Sequence, residues 1–250
     1  MKALLRTLSL PLTALGEPGA AMDVAGSRHP LLAVASLLLL AAALGAACLP
    51  RLLPLLDASL APAGSPLAQA HLALLHDGLV RYVVADRLLP PLPLLIAALL
   101  VGLLAAPILA GRRVHWSAVC GVLAAGAAPL LVQRLGELIV VWTTPADGLV
   151  TGDVAGLATR FNVGLAGILA AAGQAPGGAL GVVADAANAV GLWVVALWGW
   201  GLARLDRDTA RPPAGTAVWP FVVAAAAYGA GYALYAASLP TYLLLVMGVP

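Results

Sequence analysis

Long stretches of the chain carry no charge, and the polar residues between them come in short clusters. Leu31 to Leu49 is nineteen residues without an ionisable side chain, about 28 Å as a helix and enough to cross the hydrocarbon of a bilayer. Pro50 and Arg51 close that run. A second run, Leu88 to Ala110, opens through Pro90, Pro91 and Pro93 and closes on Gly111, Arg112 and Arg113. A third extends from Trp116 to Trp142, a fourth from Ala179 to Ala203 and a fifth from Ala217 to Leu239. Pro240 separates the fifth from a short apolar tail, Thr241 to Val249. The pattern predicts an all-α, polytopic membrane helical bundle. Its five transmembrane helices cover about 31–49, 88–110, 116–142, 179–203 and 217–239, forming a single transmembrane domain over 31–250.

The intervening segments read differently. In residues 1–30, Leu4, Leu5, Leu8, Leu12 and Leu15 fall on one helical face, opposite Lys2, Arg6, Ser9 and Thr13. This predicts a cytoplasmic amphipathic helix at the membrane interface, kinked by Pro11. Between Arg51 and Arg87, Ser65 and Pro66 offer a cap and first position for a helix lying on the membrane or on the bundle. Residues 143–160 are rich in turn formers. Phe161 to Ala172 is apolar but only about 18 Å long as a helix, too short to cross.

Charge chooses among topologies. With five spans and a cytoplasmic N-terminus, eight of the thirteen basic residues lie in the cytoplasm: Lys2, Arg6, Arg28, Arg112, Arg113, Arg204, Arg207 and Arg211. Arg51, Arg81, Arg87 and Arg160 lie outside, and Arg134 is within a span. A crossing by 161–172 would reverse this asymmetry, against the positive-inside tendency.

Composition strengthens the membrane assignment. Hydrophobic residues make up 62% of the chain and charged residues 10%, against about 25% charged in soluble domains. So few charges do not cover an exterior in water, which excludes a soluble enzyme and a disordered chain. Scattered basic residues and a net charge of +2 give no phosphate-tracking patch, so no nucleic-acid partner is expected. Cys48 and Cys120 fall in opposite leaflets, too far apart for a disulfide.

The candidate chemistry is a polar intramembrane cluster. Arg134 and Glu137 share one face of the third span, and Asp185 and Asn188 enter the fourth from the same leaflet at comparable depth. Together they form either a polar cavity or proton relay, or a packing clamp in which Asp185 holds Arg134. Trp116, Trp142, Trp198, Trp200 and Trp219 read as interfacial anchors. Tyr228, Tyr232 and Tyr235 line one face of the fifth span as packing residues, and Ala227 with Gly231 gives a spacing that admits close helix contact. His71 and His76, five apart, complete no ligand set, so no metal, no cofactor and no catalytic residue is expected.

The order of segments resembles the bacterial form of the Yip (Ypt/Rab-interacting protein) domain family. The resemblance rests on the proline-containing lead from Leu4 to Pro18, five spans, "GAAPLLVQRLGELI" around Pro129, and "ADAANAVGLWVVALWGWGLARL" from Ala184 to Leu205. Asp185, Trp193 and Gly201 stand where the family places an aspartate, a tryptophan and a glycine. It implies a membrane-shaping or trafficking protein; Rab binding does not carry over, because the long acidic, aromatic N-terminal region of eukaryotic members is missing ahead of the first span. Alanine and glycine richness, with arginine outnumbering lysine 12 to 1, suits a bacterial cytoplasmic membrane. The expected function is a non-enzymatic integral membrane protein whose partners are the lipid bilayer and other membrane proteins. The alternatives are a small transporter or channel using Arg134, Glu137 and Asp185, or an accessory subunit of a larger complex.

Overall fold

The computed structural model describes residues 9–24, 30–59, 66–89, 92–110, 114–143, 187–207 and 218–247. The described residues form helices and no β-strand. In chain order these are α1 (Leu10–Gly16), α2 (Pro18–Val24), α3 (Pro30–Ala46), α4 (Leu49–Ser59) and α5 (Pro66–Leu88), then α6 (Leu92–Ala110), α7 (Trp116–Gly126), α8 (Pro129–Thr143), α9 (Ala189–Arg207) and α10 (Trp219–Met247).

Several run as bent pairs. α3 and α4 meet at 42°, and α5 and α6 at 45°. α7 passes into α8 through Ala127 and Ala128, where Ala128 and Leu130 donate three residues back, to Ala125 and Ala127, in a tightened turn. Pro129 then opens α8 at a position where its missing N–H is harmless. The stretch Trp116–Thr143, 28 residues, is the one among the described residues that is long and apolar enough to cross a membrane by itself; three qualify if each bent pair counts as one. Residues 161–172 and 179–186 lie outside the described residues, so α9 is described from Ala189 onward.

Four expectations are corrected. The first apolar run does not stop at Pro50 but bends just before it, at Ala47 and Cys48, and continues helically to Ser59. The fifth does not stop at Pro240, since α10 runs 29 residues through it; a proline removes one N–H from the ladder, a loss that an apolar helix tolerates. Pro11 starts α1 instead of kinking it. The apolar face of α1 is also rotated from the one expected: Leu10, Pro11 and Ala14 are buried against the bundle, whereas Leu12 is 54% exposed.

α10 packs most extensively on α6 and next on α9; α3 contacts α5, α7 and α8, and α9 crosses α7. α1 and α2 lie over α7. Side-chain size is sorted in an unusual direction. On α6, Ala97, Val101 and Ala105 face inward at one spacing while Leu95, Leu99 and Leu103 face outward at the same spacing. On α8, Val132, Leu135 and Ile139 point outward. Leu39 and Leu99 are 71% and 69% exposed, while the core holds alanines from six helices. Small residues let backbones approach closely.

Trp198, expected as an interfacial anchor, is instead fully enclosed. Its indole N–H donates to the Leu123 carbonyl at 3.0 Å, and its ring lies where a side chain on Gly126 would sit. The glycine is what admits it. Gly231 brings α10 against α6 as its spacing predicts: a Cβ there would lie 2.6 Å from the Pro93 carbonyl oxygen and 2.8 Å from the Ala97 nitrogen. Gly229, two residues away, faces open space.

This contrast is testable by thermal unfolding in detergent. Gly231→Ala forces α6 and α10 apart and lowers stability by about 1–3 kcal/mol. Gly229→Ala removes backbone freedom from the unfolded chain and raises it by about 0.4–1 kcal/mol.

Candidate functional site

α8 carries the ionic centre of the molecule. Its inward face presents Leu130, Leu131, Arg134, Glu137 and Val141, and the one-turn spacing of Arg134 and Glu137 lets them pair along the helix. Arg134 Nη1 donates to Glu137 Oε2 at 2.8 Å. Arg87, from α5, donates through Nη1 to the same oxygen at 2.8 Å. Gln133 Nε2 fills Oε1 at 3.1 Å. Arg87 Nη2 also lies 3.2 Å from Asp86 Oδ2. Arg87, Arg134 and Glu137 are 4%, 3% and 2% exposed, so two guanidinium groups and one carboxylate are withdrawn from solvent together, with Asp86 at the edge balancing the charge.

The backbone explains why a cation belongs here. In a helix, each carbonyl accepts from the N–H four residues on. Prolines at 90, 91 and 93 therefore orphan the carbonyls of Asp86, Arg87 and Leu89. Arg134 Nη2 takes two of them, Asp86 O at 2.6 Å and Leu89 O at 2.9 Å. The third, Arg87 O, sits directly against Gly45 of α3, where no side chain intervenes. Positive charge at a helix C-terminus also complements its dipole. Arg134 is thus a C-cap delivered to α5 by another helix. Its Nε is buried without a hydrogen-bond partner.

A similar arrangement occurs at the other bend. Arg51 N turns back to Cys48 O at 3.2 Å, which takes it from its regular partner, Ala47 O. Trp142 Nε1, also on α8, donates to Ala47 O at 3.1 Å. Arg51 lies over the Trp142 ring at 5.8 Å. Cys48 is buried between these two centres with Leu52, Val83 and Val141.

The structure joins Arg134 to Glu137 and adds Arg87, which the charge count had placed in an external connector. Arg87 does not stand in an exposed connector: it is buried in the last turn of α5 against α8, while Leu88 and Leu89 just beyond it are exposed. Asp185 lies outside the described residues. Asn188 caps α9, accepting from Gly191 N at 2.6 Å. Trp116 and Trp142 are about half exposed, Trp219 is half-buried, and Trp200 stacks under Arg204 at 4.9 Å. Trp193 is partly exposed, and Gly201 packs against Val122 and Met22. Tyr228 and Tyr232 bond hydroxyl to hydroxyl at 3.2 Å along one helix, and the Tyr228 hydroxyl is also hydrogen-bonded to Asn188 at the start of α9. Both cysteines are free, and no metal-ligating group of three occurs among the described residues.

A signal for the capping role of Arg134 was present in the sequence. Three prolines within four residues leave carbonyls that need donors, and Arg134 is the one arginine deep in a span.

Glu137 accepts from two guanidinium groups and an amide, and an anion shared between two helices in this way acts as a clamp. Glu137→Gln leaves two buried arginines against one edge carboxylate and costs about 3–5 kcal/mol, read by thermal or denaturant unfolding. Arg134→Lys keeps the charge but loses the planar fork that reaches two carbonyls and Glu137 together; it costs about 1–3 kcal/mol. In a double-mutant cycle, Arg87→Ala and Glu137→Ala together lose less than the sum of the singles.

Comparison with known protein families, with curated proteins and with solved structures finds no match for this chain.

Proposed function

We propose that the protein is a multi-pass helical protein of a bacterial cytoplasmic membrane, N-terminus inside, that organises partner proteins or local bilayer shape without catalysis. The observation that carries this reading is the sorting of side chains, with leucines outward and alanines inward on α6. In water that arrangement leaves Leu95, Leu99, Leu103 and Leu104 exposed along one helix, whereas soluble monomers keep contiguous apolar patches small. In lipid it costs nothing, and small inward residues allow close helix contact. The buried charge cluster supports a structural role, since an intramembrane arginine needs internal partners, and Arg134 finds them in Glu137 and two backbone carbonyls. The order of segments that resembles the Yip-domain family points to the same class of protein.

A second reading, a small transporter or channel, is favoured by one observation: two bent helix pairs break beside the same buried ionic cluster, and broken helices line many transport pathways.

Fractionation and reconstitution test both. The protein stays in the membrane pellet after carbonate extraction, and the purified chain in liposomes moves no solute and turns over no substrate; flux abolished by Glu137→Gln in a protein that still folds establishes the transport reading instead. Stoichiometric partners on co-purification indicate a subunit of a larger complex. Cysteines introduced at Arg211 and Asp153 are labelled from opposite sides, the cytoplasmic and the external respectively; labelling of both from one side overturns five spans.

A further inference from the structure

We propose that α8 is a strut coupling the two helix bends, so that a change at one bend is transmitted to the other. The α3–α4 and α5–α6 pairs each break where a backbone carbonyl has lost its helical donor. Both vacancies are filled from α8. Trp142 serves Ala47 O and Arg134 serves Asp86 O and Leu89 O. The two donors sit eight residues apart on one unbroken helix, about 12 Å along its axis.

A helix is stiff along that axis, so neither donor moves without the other. Hydrogen bonds of 2.6 to 3.1 Å lose most of their strength on displacement by even one helical rise, about 1.5 Å. Two further ties keep slack out of the arrangement. Glu137 holds Arg87, one residue before the end of α5, onto α8. Gly45 of α3 rests on the Arg87 carbonyl, so the arms leading into the two bends also touch directly. An axial shift of α8 therefore releases or tightens both bends together. This coupling holds whether or not a solute crosses the protein.

Distances between spin labels on the full chain in nanodiscs test it, in a Cys120→Ser background with the buried Cys48 retained. Labels at Arg81→Cys and Leu99→Cys report the α5–α6 bend; labels at Leu39→Cys and Pro54→Cys report α3–α4. All four native residues are exposed. Trp142→Phe removes the indole donor at the α3–α4 bend alone, at a half-exposed position the fold tolerates. The expected result is a shift in the modal distance of both label pairs, including the α5–α6 pair, which Trp142 does not cap. A shift confined to α3–α4 shows independent bends and overturns the proposal. No shift in either pair overturns it too, because the Trp142 cap is then not holding its bend. Arg134→Lys gives the reciprocal measurement, with α3–α4 expected to respond; should that variant fail to fold, Trp142→Phe decides alone.

Discussion

Three prolines within four residues impose the constraint around which this molecule is arranged. Pro90, Pro91 and Pro93 supply no N–H, so the end of α5 carries carbonyls that its own chain does not satisfy. Away from water such groups need donors from elsewhere. Arg134 provides them, and its charge in turn requires Glu137, which draws in Arg87 and Gln133. One local deficiency in the backbone thus recruits side chains from two helices, and the close approach of Gly45 from a third. Removing such a cluster in favour of apolar residues is often neutral, but removing one member is costly.

Around that centre, packing depends on the absence of bulk. Gly126 admits the Trp198 ring, Gly191 admits the Tyr228 hydroxyl, and Gly231 lets α10 settle on α6. Each glycine serves a large neighbour or a bare backbone, so the contacts are matched individually and are not a uniform small-residue seam. The leucines that would fill a soluble core lie on the outside instead.

How much of this the sequence revealed depends on the range of the interaction. Helical character and the positions of most helices follow from local apolarity. The Arg134–Glu137 pair was readable because both residues lie on one turn of α8. Arg87 was not, because its burial depends on where α5 stops relative to α8, fifty residues away. Trp198 was misjudged because a tryptophan near the end of an apolar run looks the same whether it meets lipid headgroups or a glycine on another helix. Pro240 was misjudged because a proline breaks a helix by local rules that an apolar setting relaxes. For Arg87 and Trp198 the deciding partner was distant in sequence.

The docking of α2 bears on the order in which the protein can be completed. Arg204, near the end of α9, donates to the Gly19 carbonyl at 2.7 Å across 185 residues of chain, and Met22 is buried against Gly201. α2 leaves the ribosome some 185 residues ahead of the arginine that holds it. At about 5–20 residues per second, it waits on the order of ten seconds or more for that part of its binding surface, and until then α2 is exposed to whatever else in the cell binds a short apolar helix.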